Sequence, residues 1–280
     1  MLKRFAFASA TVACLAPAAF AADLAAPRAP VAVAVPAPVF TWTGLYVGGN
    51  VGAIGKETRI NTIGNNGPVG GPSTFANVAS GARPPFVDFS RGGFTGGGQI
   101  GFNYQVSGVV FGIEADANYT DLKQTEDLVG STNAVSRFRS DLRYLGTVRG
   151  RLGFAFDRLL VYGTGGLAYG GLRNDALFFA TPAAGGLGVL QFAGSDHRTA
   201  AGFAAGGGLE YALPTSFNLF GSSAVTIRGE ALYYDLGRRN VVVADTGLAP
   251  AATRGQSYTS RFETRGVIGR AGVNFKFAGF

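Results

Sequence analysis

Few side chains of this sequence could carry out acid–base or covalent chemistry. Its 280 residues include one histidine, His197, and one cysteine, Cys14. A zinc site, a disulfide scaffold or a cysteine–histidine enzyme each requires more of these residues than the chain contains. No serine stands at a nucleophile-like spacing with a third orienting group, and His197 is therefore interpreted as a solvated loop residue. We expect no catalytic residues, no metal site and no cofactor.

One glycine-rich segment matches a nucleotide-binding motif by its letters alone. Residues 96–101 read GGGQIG, which fits the G-x-G-x-x-G pattern of dinucleotide-binding loops. That motif binds phosphate where a strand passes into a helix, and here no helical pattern follows. We therefore reject a dinucleotide site.

The charged residues alternate with apolar residues along the chain. In residues 141–154, an apolar set alternates with a polar and basic set: Leu142, Tyr144, Val148 and Leu152 against Arg143, Thr147, Arg149 and Arg151. Residues 109–120 and 224–236 repeat this plan with Glu114, Asp116, Arg228 and Glu230 on the polar face. A period of two predicts β-strands rather than helices.

Eight such segments occur in the chain. They are residues 45–54, 94–105, 109–120, 141–154, 159–172, 199–211, 224–236 and 266–277. Each is long enough to cross a bilayer as a tilted strand, which takes about 9–11 residues.

The connections between these segments alternate in length. Long connections at residues 55–93, 121–140, 173–198 and 237–265 are separated by short ones at 106–108, 155–158 and 212–223. This alternation is typical of membrane barrels, whose long loops lie outside and whose short turns lie in the periplasm. The sequence therefore predicts an all-β fold, an eight-stranded antiparallel transmembrane β-barrel with long extracellular loops and short periplasmic turns.

In such a barrel the apolar face of each strand meets lipid and the polar face lines the interior. The inward residues are predicted to be Glu114, Asp116, Arg143, Arg149, Arg151, Glu210, Arg228, Glu230, Arg270 and Lys276. Eight strands enclose a space that side chains just fill, so internal pairs of these charges would plug the lumen. Small inward residues such as Gly48, Gly52 and Gly97 would leave room for water, which keeps a narrow conducting pore as the alternative.

The amino terminus carries an export signal. Lys3 and Arg4 precede an uncharged, alanine-rich run that ends in Ala19-Phe20-Ala21, and cleavage is predicted between Ala21 and Ala22. We assign residues 1–21 to a signal peptide, 22–40 to an Ala/Pro-rich periplasmic spacer and 41–280 to the barrel.

Four segments resemble one family, in the order in which that family has them. The similarity lies in residues 42–52 (WTGLYVGGNVG), 112–119 (GIEADANY), 208–212 (GLEYA) and 228–237 (RGEALYYDLG). These are similar to strands of the outer-membrane immunogenic proteins, which are small OmpA-like, porin-family barrels of Gram-negative bacteria. The resemblance covers about residues 40–280 and implies an eight-stranded barrel in the cell outer membrane.

The resemblance also suggests partners and a ligand. Family chains usually end on an aromatic residue in phase with the last strand, which the barrel-assembly machinery reads. Phe275 and Phe277 are in phase here, whereas Phe280 stands three residues further on. Some relatives bind haem, and in this chain His197 or Tyr258 could ligate its iron.

The expected role is that of an integral outer-membrane barrel with a structural or surface-interface function. The alternatives are a small porin for ions or small solutes and a haem-binding surface protein. Expected neighbours are outer-membrane lipid and lipopolysaccharide, since residues 237–265 carry five arginines against Asp245 and Glu263. The expected location and the alternation of the basic residues argue against nucleic acid. The oligomeric state stays open.

Overall fold

The computed structural model describes residues 40–66, 73–182, 186–214 and 221–277. Eight antiparallel strands close into a barrel in which each strand pairs with its sequence neighbours and the first pairs with the last. The strands are β1 Gly44–Gly64, β2 Phe86–Val106, β3 Val109–Val129, β4 Val135–Phe156, β5 Leu159–Phe179, β6 Leu190–Ala212, β7 Ala224–Asp245 and β8 Ser257–Lys276. One short helix, α1 Thr74–Ala79, lies between β1 and β2. The predicted fold class is confirmed.

The predicted signal peptide, with Ala21 and Ala22, and the spacer up to residue 39 lie outside the described residues. The bounds of the three assigned segments therefore stay predictions. Within the described part of the chain, no helix is long and apolar enough to cross a membrane.

The strands are about twice as long as predicted. They have 20 to 23 residues each, and nearly all of the additional residues lie at the end away from the short turns. The outer connections shrink accordingly to residues 65–85, 130–134, 180–189 and 246–256. The bounds predicted for the long loops, residues 55–93, 121–140, 173–198 and 237–265, are therefore wrong, because the barrel wall continues into each of them from both sides.

The outward face of the wall has two zones. Near the short turns it is apolar, and Ile113, Val148 and Leu167 are each at least half exposed there. Because strands of 9–11 residues suffice to cross a bilayer, this zone accounts for the lipid contact.

Further out, the outward face carries ion pairs, with apolar side chains such as Val242 between them. Arg137 holds Asp127 at 2.7 Å, and Arg265 holds Glu57 at 2.9 Å. The hydrogen bonds that Arg137 donates hold the pKa of Asp127 below its ordinary value. Exposed ion pairs of this kind contribute little to stability. Their presence indicates that this part of the outward face contacts water rather than lipid.

Two bulges change which residues face inward. The ladder between β3 and β4 shifts between Tyr119↔Tyr144 and Leu122↔Leu142, and the ladder between β4 and β5 shifts over the same part of β4. An extra residue in β4 puts both Leu142 and Leu145 inside the barrel and leaves Arg143 and Tyr144 exposed outside. The prediction that Arg143 lines the lumen, and that Leu142 faces lipid, is therefore wrong.

The boundary between the two zones can be tested with one pair of variants. Val148→Arg places a charge among lipid-facing side chains and should destabilise folding into vesicles by about 2–4 kcal/mol. Val242→Arg is the matched control, because Val242 is 61% exposed in the outer zone. It should change the unfolding free energy by less than about 0.5 kcal/mol. Equal effects in urea titrations would contradict the assignment of the zones.

The orientation of the barrel can be tested by labelling intact cells. Asn66 and Ala251 are exposed in outer connections, and Asp157 is exposed in a short turn. In a background with Cys14 replaced, cysteines at Asn66 or Ala251 should react with an impermeant thiol reagent. A cysteine at Asp157 should react only after the outer membrane is opened. The reverse pattern would invert the topology.

Candidate functional site in the barrel interior

The interior is filled in layers that follow each strand from the short turns outward. The lowest layer is an apolar cluster around Trp42, with Val110, Leu160, Tyr162 and Ala212. A charged layer comes next, and a second apolar cluster follows, which includes Ile54, Leu122, Leu142, Leu145 and Ile268. The outermost layer is mostly aromatic and includes Phe138, Phe178, Phe192, Tyr258 and Phe262.

The charged layer is built around Arg149. Its guanidinium lies 2.7 Å from Glu114, 3.0 Å from Asp116 and 2.9 Å from Glu230. Arg270 binds two of the same carboxylates, at 2.6 Å from Glu230 and 3.1 Å from Asp116. The strands bring these five groups together because each stands at an inward position of its period-two pattern.

Two further arginines complete this layer. Arg228 pairs with Glu114, and Arg151 pairs with Glu210 at 2.5 Å. The side chains of all four arginines and all four carboxylates are at most 3% exposed. The layer is electrically balanced, which is the condition under which buried charges are tolerated.

Neutral groups donate further hydrogen bonds to the same carboxylates. Tyr46 donates to Glu114 at 2.7 Å, Tyr162 donates to Glu230 at 3.2 Å, and Asn274 donates to Glu210 at 2.8 Å. The guanidinium carbon of Arg151 also lies 3.6 Å from the centre of the Tyr162 ring, which is cation–π geometry. Sequence reasoning missed these tyrosines, although Tyr46 is in phase with the inward Gly48.

Two of the ten predicted lumen residues do not join this layer. Arg143 is exposed on the outer wall, as described above. Lys276 is buried, but its Nζ donates to the backbone oxygen of Thr43 at 2.5 Å near the short turns. Six of the other eight form one network of ion pairs, and Arg151 and Glu210 form a separate pair that Tyr46 connects to it through hydrogen bonds to Arg151 and Glu114.

The small inward residues do not leave the space that the sequence suggested. A Cβ atom added at Gly52 would lie 2.2 Å from the backbone oxygen of Gly269, and one at Gly48 would lie 2.2 Å from the amide oxygen of Asn274. A Cβ at Gly97 would meet the backbone oxygen of Ala117 at 2.0 Å. These glycines allow close approach of neighbouring chain segments rather than the passage of water.

Arg83 closes the outer mouth, and sequence reasoning placed it in an outer loop. It is 4% exposed and donates to the carbonyl oxygens of Val135 at 2.9 Å and Phe179 at 2.8 Å. Its guanidinium carbon lies 5.2 Å from the centre of the Phe178 ring. Burial lowers the pKa of Arg83. The segment that carries it therefore lies across the aromatic layer.

The two candidate haem ligands differ in accessibility. His197 is half exposed on β6, with Nε2 3.2 Å from Asp175 Oδ1. Tyr258 is buried among aromatic rings on β8, and its hydroxyl accepts a hydrogen bond from Asn77 at 2.9 Å. Tyr258 is thus not the loop residue that was expected, and it does not reach the surface. Across the described residues, no group of three His, Cys, Asp or Glu side chains could hold a metal ion.

A double-mutant cycle on Arg151 and Glu210 tests the charged layer. Arg151→Met and Glu210→Gln should each destabilise the barrel by about 3–5 kcal/mol, since each leaves its partner buried without a counter-charge. The double variant should cost less than the sum by about 1–3 kcal/mol. The exposed pair of Arg137 and Asp127 is the control and should show coupling below about 1 kcal/mol. Additive losses for the inner pair in urea unfolding would contradict the pairing.

Comparisons with known proteins agree with this architecture. The family model for the outer membrane protein beta-barrel domain matches residues 5–275. The 31 kDa outer-membrane immunogenic protein of Brucella melitensis is 33% identical over 267 residues, which cover 95% of this chain and 96% of that protein. The 25 kDa outer-membrane immunogenic protein of Brucella abortus is 24% identical over 99% of each chain.

A solved structure aligns with most of the chain at low similarity. The outer membrane protein OprG from Pseudomonas aeruginosa is 12% identical, with a TM-score of 0.39 over 84% of this chain and 97% of that one. The match of the family model to nearly the whole sequence is what assigns the chain. This protein belongs to the outer membrane β-barrel family and is located in the cell outer membrane.

Proposed function

We propose that the protein is a closed structural barrel, which presents a rigid wall at the cell surface and conducts no solutes. The observation that carries this proposal is the balanced layer of four arginines and four carboxylates across the lumen. The proposed function includes no catalytic activity. His197 lies on the outer wall beside Asp175, and no nucleophile contacts it in the described residues.

Three barriers in series support a closed lumen. An ion that crosses the charged layer must separate Arg149 from its three carboxylates, and that leaves buried charges without partners. Above this layer, the apolar and aromatic clusters exclude water, as hydrophobic constrictions do in gated channels. Arg83 lies across the mouth above both.

The wall itself supports a role at the surface. Since the strands continue past the lipid-facing zone as paired sheet, the outer half of the barrel stands in the layer of lipid headgroups and sugars. Lipid and lipopolysaccharide are therefore proposed as its neighbours. The barrel-assembly machinery is proposed as a partner during biogenesis, because Phe277 follows β8 directly and its backbone pairs with Leu45 of β1.

Conductance in planar bilayers tests the closed barrel. The purified protein should give no current steps under conditions in which an open porin does, after folding is checked by its altered mobility on unheated gels. Arg83→Ala should also be silent, because the charged layer remains beneath the mouth. Steady steps from the wild type would establish the porin alternative. Steps from Arg83→Ala alone would show that the mouth, rather than the charged layer, closes the barrel.

A further inference from the structure

The ladder between β6 and β7 is interrupted in the outer zone. Pairing runs through Phe192↔Asp245 and Ala193↔Ala244 and resumes only at Phe203↔Asp235. Residues 194–202 and 236–243 thus face each other without ladder pairs, whereas β6 pairs with β5 over this stretch. The result is a slot in the wall that is closed at both ends by regular pairing. We call it the β6–β7 slot.

The sequence explains why the strands separate here and close again. Gly237 has a positive φ of 72°, and its N–H is held by Asp235 Oδ1 at 2.7 Å, so β7 bulges at the lower end of the slot. Glycines stand where the strands meet again. A Cβ at Gly202 would lie 1.8 Å from the backbone oxygen of Asp235, and one at Gly194 would lie 2.3 Å from that of Val242.

Arginines from three strands surround this slot. A cleft of about 390 Å³ lies there, lined by Asp196, Arg198, Arg238, Arg239, Asn240 and Arg261. The side chains of Arg198 and Arg238 are 76% and 69% exposed. Four guanidinium groups thus converge with one carboxylate in the cleft itself.

Only part of this positive charge is compensated. Arg198 binds Asp196 at 3.1 Å, and Arg238 pairs with Glu263 beside the cleft. Arg261 donates to the neutral amide oxygen of Asn240 at 3.1 Å, and Arg239 has no carboxylate partner among the described residues. A cleft with excess guanidinium groups is suited to an anion with several oxygens, and phosphate geometry matches the guanidinium fork.

The height of the slot on the wall identifies the source of the anion. Phe203, Tyr233 and Val267 face outward on the same three strands, and the rings of Phe203 and Tyr233 lie 5.9 Å apart. Arg198 and Arg238 follow about five residues further out, which is roughly 16 Å along the strand and, for a tilt of about 45°, about 12 Å along the membrane normal. This is the level of the lipid headgroups above the lipid-facing zone. The phosphate of a lipid whose acyl chains lie in the bilayer is therefore held at the height of the slot.

We propose that the β6–β7 slot binds a phosphate group of an outer-leaflet glycolipid, whose acyl chains lie against the wall below. The proposal rests on the proposed surface role of the wall, to which it adds a binding site, and it is independent of the closed lumen. Failure of glycolipid binding would not change the conductance expected of a closed barrel. Conducting steps in a bilayer would likewise not exclude glycolipid binding at the slot.

Native mass spectrometry of the full barrel in detergent tests this proposal. The probe is lipid A with both phosphates, compared with the same lipid after removal of its phosphates. The test variant is Arg198→Gln/Arg239→Gln. The matched control is Arg137→Gln/Arg173→Gln, which removes equal charge from the outward faces of β4 and β5, where each arginine pairs with an aspartate.

The slot variant should bind phosphorylated lipid A about tenfold more weakly than the wild type, and the control should stay within about twofold. Arg198→Lys/Arg239→Lys should bind more weakly than the wild type but more tightly than the glutamine variant, because the charge remains while the bidentate guanidinium fork is lost. Equal losses in the slot and control variants would overturn the proposal in favour of general charge attraction. Undiminished binding of the dephosphorylated lipid would overturn it as well. Displacement by millimolar inorganic phosphate would reassign the slot to a soluble anion.

Discussion

A guanidinium group inside an eight-stranded barrel has no bulk water to solvate it. The remainder of this interior depends on which groups neutralise its charge. Arg149 is met by three carboxylates from β3 and β7, so it ties opposite sides of the wall together. The same carboxylates are shared with Arg228 and Arg270. Removal of any one of these three arginines or three carboxylates therefore leaves charge unpaired at two or more others, and the six act as one unit beside the separate pair of Arg151 and Glu210.

The bilayer imposes the second constraint, because it determines where the outward face can be polar. In the zone near the short turns, outward positions such as Val148 and Leu152 are apolar while inward positions are charged. In the outer zone the pattern reverses, and Phe138 and Phe262 lie inside while Arg137 and Arg261 lie outside. One continuous wall thus contacts lipid in the zone near the short turns and water in the outer zone.

This reversal explains which parts of the structure could be predicted from the sequence. The eight strands, their order and the inward position of nine of the ten predicted lumen charges follow from period-two alternation against lipid. The outer halves were taken for loops because water-facing strands carry many charged and polar side chains, as loops do. Arg143 was assigned to the wrong face because a bulge of one residue inverts every later position. Arg83 could not be found, since its shortest hydrogen bonds go to backbone carbonyls of β4 and β5, which are distant in sequence and leave no side-chain pattern.

The irregularities of the wall follow the same physical rule. A backbone N–H or C=O without a partner costs several kcal/mol in hydrocarbon, but water or a headgroup can satisfy it further out. The ladder between β2 and β3 ends at Thr95↔Thr120, the bulges of β3 and β4 begin at Tyr119, and the β6–β7 slot begins beyond Phe203. Each departure therefore starts where the apolar outward face ends. The wall is regular where lipid demands full pairing, and it bends only where charged groups such as Arg143 and Arg198 meet an aqueous surface.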